Sequence, residues 1–392
     1  FLSYKIIIYI ILGDIQMKEA VRFLTTLLLY CAVSAELAAQ YSNIPMHKID
    51  LVFAGDAMQH ETQLRMAKGE NGKYSYSSYY RYISPEIKNA DIAVINLETP
   101  IYTKGFSGYP SFCAPDSFLH AITDAGFNLV MLANNHILDR GKSTVLHTLD
   151  LLDTLKTAYC GIYRNMEERD SLYPLMIEKK GVKIVFLNYT YGTNGRSVPA
   201  PLAVNIIDKE IMSKDIEKAK TMNADAIIAC MHWGDEYVSL PPKKVKELAD
   251  WLLEQGVDHI IGHHPHVVQP IEIRKDPETP DKHAVAYSLG NLVSNMQIRK
   301  TDGGITLHMR LRKILNYTRI ASLQYMLTWI KPKEHNGRRD FTILPAATTI
   351  IENNPHAESR LRQFLEDTRT LFRKHNKGNI TETFIDSVKI TR

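Results

Sequence analysis

Ile260-Ile261-Gly262-His263-His264-Pro265-His266-Val267-Val268-Gln269 is the stretch from which the rest of the chain is read. The apolar run Val257 to Ile261 breaks at a glycine into three histidines within four residues, the pattern of a buried strand delivering side chains to a site. Imidazoles crowded this closely repel one another once protonated. A metal ion removes the conflict, because it binds neutral imidazole and brings positive charge of its own. A polar loop after a strand would explain one such histidine, but not three together with the partners that follow.

The same design recurs on both sides of that stretch. Ile49 to Gly55 reads as a buried strand followed by Asp56; Ala90 to Asn96 leads to Leu97-Glu98-Thr99-Pro100; Phe127 to Ala133 leads to Asn134-Asn135-His136. Val182 to Leu187 ends at Asn188-Tyr189, Ala226 to Met231 at His232-Trp233-Gly234, and Ala284 to Leu289 at Gly290-Asn291. Helical segments fall between them at 84–89, 117–125, 143–155, 209–222 and 243–255. Alternation of this kind argues for an α/β fold with a largely parallel sheet, and apolar runs without alternation argue that both sheet faces are covered. Ligand-type residues at nearly every strand end then converge on one place, beyond the carboxyl ends of the strands.

The chain has 392 residues, 45% apolar and 23% charged, with a formal net charge of +4, so it is an ordinary globular composition able to bury a large core. Forty-seven basic against 43 acidic side chains, with no basic stripe interleaved with aromatics, excludes a nucleic-acid partner as an expectation. The written chain begins on Phe1, and a secretory signal peptide is expected from Met17: Lys18 and Arg22 are its basic region, Phe23 to Ala35 its apolar region, Leu37-Ala38-Ala39-Gln40 its small-residue exit. Residues 1–40 are therefore set aside as an upstream extension and leader, and the protein is expected in the periplasm or cell envelope. Past the leader, Cys113, Cys160 and Cys230 lack metal-type spacing and allow at most one bridge. The tyrosine-rich stretch 66–82 reads as a loop beside the site, with tyrosines available to a polymeric ligand or packed on the surface. Beyond Asn295, residues 304–311 and 320–330 read as antiparallel strands, 358–374 as a charged amphipathic helix, and the last ten residues as a tail.

Gly55-Asp56-Ala57-Met58, Asn96-Leu97-Glu98-Thr99-Pro100, Ala133-Asn134-Asn135-His136 with Asp139 and Gly141, His232-Trp233-Gly234 with Glu236, the His264-Pro265-His266 stretch, and Ser288-Leu289-Gly290-Asn291 together resemble the CapA family of capsule and poly-γ-glutamate synthesis proteins. That family in turn resembles the calcineurin-like metallophosphoesterases. The resemblance implies a four-layer α/β/β/α sandwich over 47–300, with 301–392 completing the same domain, and two divalent metals (Mn, Zn or Fe) at the strand ends. It implies Asp56, Glu98, Asn135, His232, His264 and His266 as ligands, Glu98 as the bridging acid, and His136, oriented by Asp139, as general acid. Asn134, Glu236, His263 and Asn291 are expected to support the ligands or meet substrate. A donor set of Asp, Glu, Asn and His without thiolate suits borderline divalent ions. Two such ions about 3.5 to 4 Å apart clamp an in-line displacement.

One position departs from the phosphoesterase pattern: Met58 stands where a histidine is usual, so one metal is expected to lack a ligand. His60 lies nearby at the wrong spacing. Two functions from different classes follow. The first is a metal-dependent hydrolase of a phosphoester or glutamyl-amide bond in an extracytoplasmic anionic polymer. The second is a non-catalytic polymer-binding or assembly protein, in a capsule-synthesis membrane complex, that keeps the metal site.

Overall fold

The computed structural model describes residues 17–19, 21–32, 34, 45–275, 282–331 and 341–390. Phe1–Met46 and His47–Arg392 are separate compact units. In the first, the described residues between 17 and 34 are helical, and the expected exit at 37–40 lies outside the described residues. No described helix is long and apolar enough to cross a membrane.

The second unit is built on two mixed sheets. In the first, the strands run in spatial order Ile343–Pro345, Tyr317–Ile330, Gly303–Ile314, Met46–Ala57, Ile92–Leu97, Leu129–Met131 and Ala158–Cys160. The last four are mutually parallel, and Asn291–Val293 adds to Met46–Ala57 beside Asp56. In the second sheet Lys282–Ala286, His259–His263, Ala226–His232 and Val182–Thr190 are parallel, flanked by antiparallel Ile271–Lys275 and Leu175–Lys179.

Strand periodicity assigns the layers. Ile49, Leu51, Phe53, Val94 and Leu129 enter one core together with Ile184, Phe186, Ile228 and Ile260 of the second sheet. Their neighbours Val52, Ala54, Ala93, Ile95 and Val130 point the other way, onto Ile87, Phe118, Ile122, Val145 and Leu149 of the helices Ser84–Asn89, Asp116–Asp124 and Lys142–Thr154. A period of two puts alternate residues on opposite faces, so the first sheet is covered on both. Helices Lys209–Thr221 and Lys243–Glu254 bring Met212, Ile216, Ala249 and Leu252 into the core shared with the second sheet. The order is helix, sheet, sheet, helix, the four layers that the family resemblance implied.

Register aligns the strand ends. Asp56 pairs with both Asn96 and Asn291, and His232 pairs with His263, so ligand-type residues of each sheet end at one level. Backbone crowding holds that level: a Cβ at Gly262 would lie 1.9 Å from the Tyr287 carbonyl oxygen, and one at Gly55 2.0 Å from that of Gly290. Only glycine admits approach this close.

Several expectations change. The central strand does not stop at Gly262 but continues to His263, and the turn begins at His264. Tyr76, Tyr79 and Tyr80 of the tyrosine-rich stretch are buried core residues at 1–2% exposure rather than ligand-facing, packed edge-on against Phe118 and Phe127. Near the end of the chain, Val388–Ile390 pairs with Thr349–Ile351, where a tail was expected. All described cysteines are free thiols, and Cys113, Cys160 and Cys230 are buried.

Candidate metal centre

Every ligand-type residue singled out in the sequence reaches one buried cluster. Asp56, Glu98, Asn135, His232, His264 and His266 are each at most 3% exposed. Two subsets bring their donor atoms within 4.8 Å of one another: Glu98, His264 and His266, and Asp56, Glu98 and His232. Glu98 belongs to both, with its Oε1 3.5 Å from His232 Nε2 and 3.7 Å from His266 Nε2. Asn135 Oδ1 lies 2.8 Å from His232 Nε2, and His266 Nδ1 lies 3.2 Å from Asp56 Oδ2.

The pattern of unpartnered atoms is informative. Both Glu98 carboxylate oxygens, His264 Nδ1 and His266 Nε2 are buried without a hydrogen-bond partner. Native proteins leave few such atoms, since a bare buried polar group costs of order 1–3 kcal/mol and a bare charge more. Here the bare atoms are one carboxylate and two imidazole nitrogens, the donor types a borderline divalent cation takes. The cluster fits a metal.

The backbone is shaped to present these atoms. His264 (φ 97°) and His266 (φ 57°) occupy the left-handed region, which non-glycine residues enter at a cost of order 1–3 kcal/mol each. The two imidazoles flank Pro265 and turn inward with ring centroids 5.8 Å apart.

Burial sets the electrostatics. It pushes the Glu98 carboxyl well above the usual carboxylate range, and the Asp56 charge adds to the effect. Burial holds the His232 and His264 imidazoles well below theirs, keeping them neutral as ligation requires. At Asp56 burial opposes ionisation, but the His266 hydrogen bond and the charges of His266, His263 and His232 prevail and lower its pKa. At His266 burial is again outweighed, by Glu98 and Asp56, and its pKa rises to about 9.

The supporting residues divide. Asp139 Oδ2 accepts from His136 Nδ1 at 2.8 Å and from the Phe112 amide at 2.8 Å, leaving His136 Nε2 as the ring nitrogen free for proton exchange. Asn134 donates to the Leu97 carbonyl at 2.8 Å, and its Oδ1 accepts from the His136 amide at 3.2 Å, fixing the loop. Asn291 Oδ1 meets His266 Nδ1 at 3.1 Å. His263 faces away, onto the Ala54 carbonyl at 3.2 Å. Glu236, on the open side, has Oε1 4.0 Å from His266 Nε2. Met58 is fully buried and brings no imidazole, and His60 is engaged with Gln63 and the Asn295 amide.

Four residues escaped the sequence reading. Asn96 Nδ2 donates to Asp56 Oδ1 at 2.8 Å and lies 3.3 Å from His232 Nδ1, tying ligands of the two sheets together. Asn188 does the same through the backbone: its Oδ1 accepts from the Leu132 and Ala133 amides at 3.1 and 2.9 Å, and its Nδ2 donates to the Cys230 carbonyl at 3.0 Å. Both sit at strand ends, the signal by which they were findable. Asn194 Oδ1 accepts from Asn135 Nδ2 at 3.1 Å, and Tyr191, 44% exposed, packs at a tilt against His264 with ring centroids 4.6 Å apart. Nothing local in the sequence marks these two.

The chain is 27% identical over 291 residues to the capsule biosynthesis protein CapA of Bacillus anthracis, covering 71% of this chain and 67% of that one. It is 28% identical over 250 residues to the PGA biosynthesis protein CapA of Bacillus subtilis, covering 60% and 62%. The chain thus spans about two thirds of the length of these curated relatives. A solved calcineurin-like phosphoesterase from Bacillus subtilis overlays 84% of this chain and 100% of its own at TM-score 0.42 and 15% identity, a likeness too slight to carry an argument. The model of the bacterial capsule synthesis protein PGA_cap matches residues 50–296, the span that holds all six ligand-type residues, and the chain belongs to that family.

Proposed function

We propose that the chain is an exported, divalent-metal-dependent hydrolase that opens a phosphoester or glutamyl-amide bond in an anionic capsule polymer. The observation that carries this reading is the buried Glu98 carboxylate, bare on both oxygens beside the bare His264 Nδ1 and His266 Nε2. Glu98, His264 and His266 would hold one cation, and Asp56, Glu98 and His232 the other, with Asn135 Oδ1 beside His232. Bound cations supply Lewis-acid polarisation and a nucleophile active near neutral pH. His136 then serves as the proton donor: Asp139 holds its Nδ1, and its Nε2 delivers a proton to the leaving group. Asn134 and Asn194 keep the His136 loop in place, and Tyr191 and Tyr237, on either side of the imidazoles, border the approach. Export rests on the Met17 leader, and the polymer on the relatives' names.

One observation favours the second reading, polymer binding without chemistry. Met58 leaves the Asp56 position with three protein ligands, one fewer than the usual pattern. The two readings part at His136. In the manganese-loaded protein, assayed on a bis-aryl phosphate and on a γ-glutamyl oligomer, His136→Asn is expected to lower kcat by about 10²- to 10⁴-fold with metal content unchanged. Undiminished turnover in the variant removes His136 from the chemistry. Absence of turnover by the unaltered protein on either bond leaves the binding reading.

A further inference from the structure

Three loops meet at His136, and their charge is one-sided. Residues 103–113 are fastened to 139–140 through Ser111 Oγ, which donates to the Asp139 carbonyl at 2.8 Å, and the Phe112 amide, which donates to Asp139 Oδ2 at 2.8 Å. Lys142 Nζ donates to the Ala200 carbonyl at 3.1 Å, joining 139–142 to 191–201. Asn194 closes the ring, its Oδ1 accepting from Asn135 and its Nδ2 3.4 Å from His136 Nδ1. On these loops Lys104, Arg140, Lys142 and Arg196 are exposed, and none meets an acidic side chain among the described residues. Arg140 Nη2 passes 3.3 Å from where a Cβ at Gly105 would lie, so Lys104 and Arg140 share one side of the ring. The only acid in the three stretches is Asp139, buried and bonded to His136. With Asp139 counted, the three stretches carry a net +3 of the chain's formal +4, so most of the net charge lies on this rim. Elsewhere, some exposed cations, such as Lys214, Lys220 and Lys243, lie against a nearby Glu, and others, such as Lys48, Lys68 and Lys246, do not; the rim is set apart by having no exposed acid on its three stretches.

We propose that these loops are the docking surface for a chain of repeated carboxylates, which they lead past His136 to the ligand cluster. A single small anion engages one cation; several unpaired cations on adjoining loops match an anion that repeats. Arginine adds planar two-point contacts to carboxylate, and lysine adds unspecific charge. Tyr109 and Tyr191, 76% and 44% exposed on the same loops, offer flat surface to the aliphatic part of such a chain. The attraction is long-ranged and screened by salt. The choice of carboxylate rests on the proposed function; the surface itself does not require metal.

The test is binding of fluorescent poly-L-glutamate to the full chain in EDTA, across a salt series. Joint substitution Lys104→Gln, Arg140→Gln, Lys142→Gln and Arg196→Gln is expected to weaken binding at least about tenfold and to flatten its salt dependence. A control that neutralises Lys214, Lys220, Lys243 and Lys389 should bind like the unaltered protein. Arg140→Gln and Arg196→Gln alone, each expected to lose about two- to threefold, serve if the fourfold variant does not fold. Equal losses in variant and control, no binding by the unaltered protein, or stronger binding of polyphosphate at equal charge would overturn the proposal. Binding in EDTA without cleavage in manganese defeats the hydrolase reading and leaves the surface standing. Cleavage without loss of binding in the fourfold variant does the reverse.

Discussion

Glu98 shows how far a single residue can specify chemistry. A carboxylate with no hydrogen bond, fully buried beside a second carboxylate at Asp56, is strongly disfavoured in the absence of a cation. The fold tolerates it, and also holds His264 and His266 in left-handed backbone to face it. Met58 is the counter-example, a buried thioether where a hard or borderline ligand would complete the Asp56 position. Manganese titration should therefore show one tight equivalent and a second that is weaker, and Met58→His should strengthen the second by about tenfold or more. Equal affinities before the substitution would show that Met58 leaves no ligand missing. Residues of this kind were legible in the sequence, because they follow apolar runs and their types are chemically restrictive. Tyr191 and Asn194 were not, since a residue in a loop acquires its neighbours only when the sheets bring them there.

At the scale of elements, the strands were readable and their ends were not. The sequence placed a break at Gly262, where glycine usually ends a strand; the structure uses it to let the strand pass the Tyr287 carbonyl and continue to His263. The tyrosines of 66–82 read as a loop, facing a ligand or packed on the surface, because tyrosine and serine are common in loops, whereas Tyr76, Tyr79 and Tyr80 cover the helix face of the first sheet. The same strand, His259–His263, carries a pH dependence independent of metal. Burial, reinforced by His283, holds His259 down to about 3, and the Ala284 amide donates to its Nδ1 at 3.2 Å, a bond that neutral imidazole alone accepts. The unfolded chain takes up a proton near pH 6.5 and the folded one does not, so this contribution is complete above that pH. It declines on acidification toward pH 3, by about 1.4 kcal/mol per unit. Urea midpoints between pH 7 and 4 should fall less steeply for His259→Gln than for the unaltered protein; parallel slopes would mean that His259 titrates alike in both states.

Across the whole molecule the centre is a junction between two sheets, and its geometry depends on what joins them. Asp56, Glu98 and Asn135 come from the first sheet and its loops, His232, His264 and His266 from the second. Asn96 and Asn188 span the gap by hydrogen bonds, and Asn188 is tied through Asn205 to the buried Arg169–Asp215 ion pair. Sequence patterning gave parallel strands covered on both faces, because it reports which faces are apolar, and the family resemblance implied the four layers; neither reported the junction, which depends on pairings between residues more than 200 positions apart. The most direct test of a metal centre at this junction is thermal unfolding of the unaltered protein and Glu98→Gln, each in EDTA and in excess manganese. In EDTA the variant should melt higher, since it no longer buries a carboxyl beside the Asp56 charge. Manganese should raise the unaltered protein substantially, by about 4 kcal/mol at a thousandfold excess over its dissociation constant, and the variant little. If manganese leaves the unaltered protein unmoved, or raises both alike, Glu98 is not part of a metal centre.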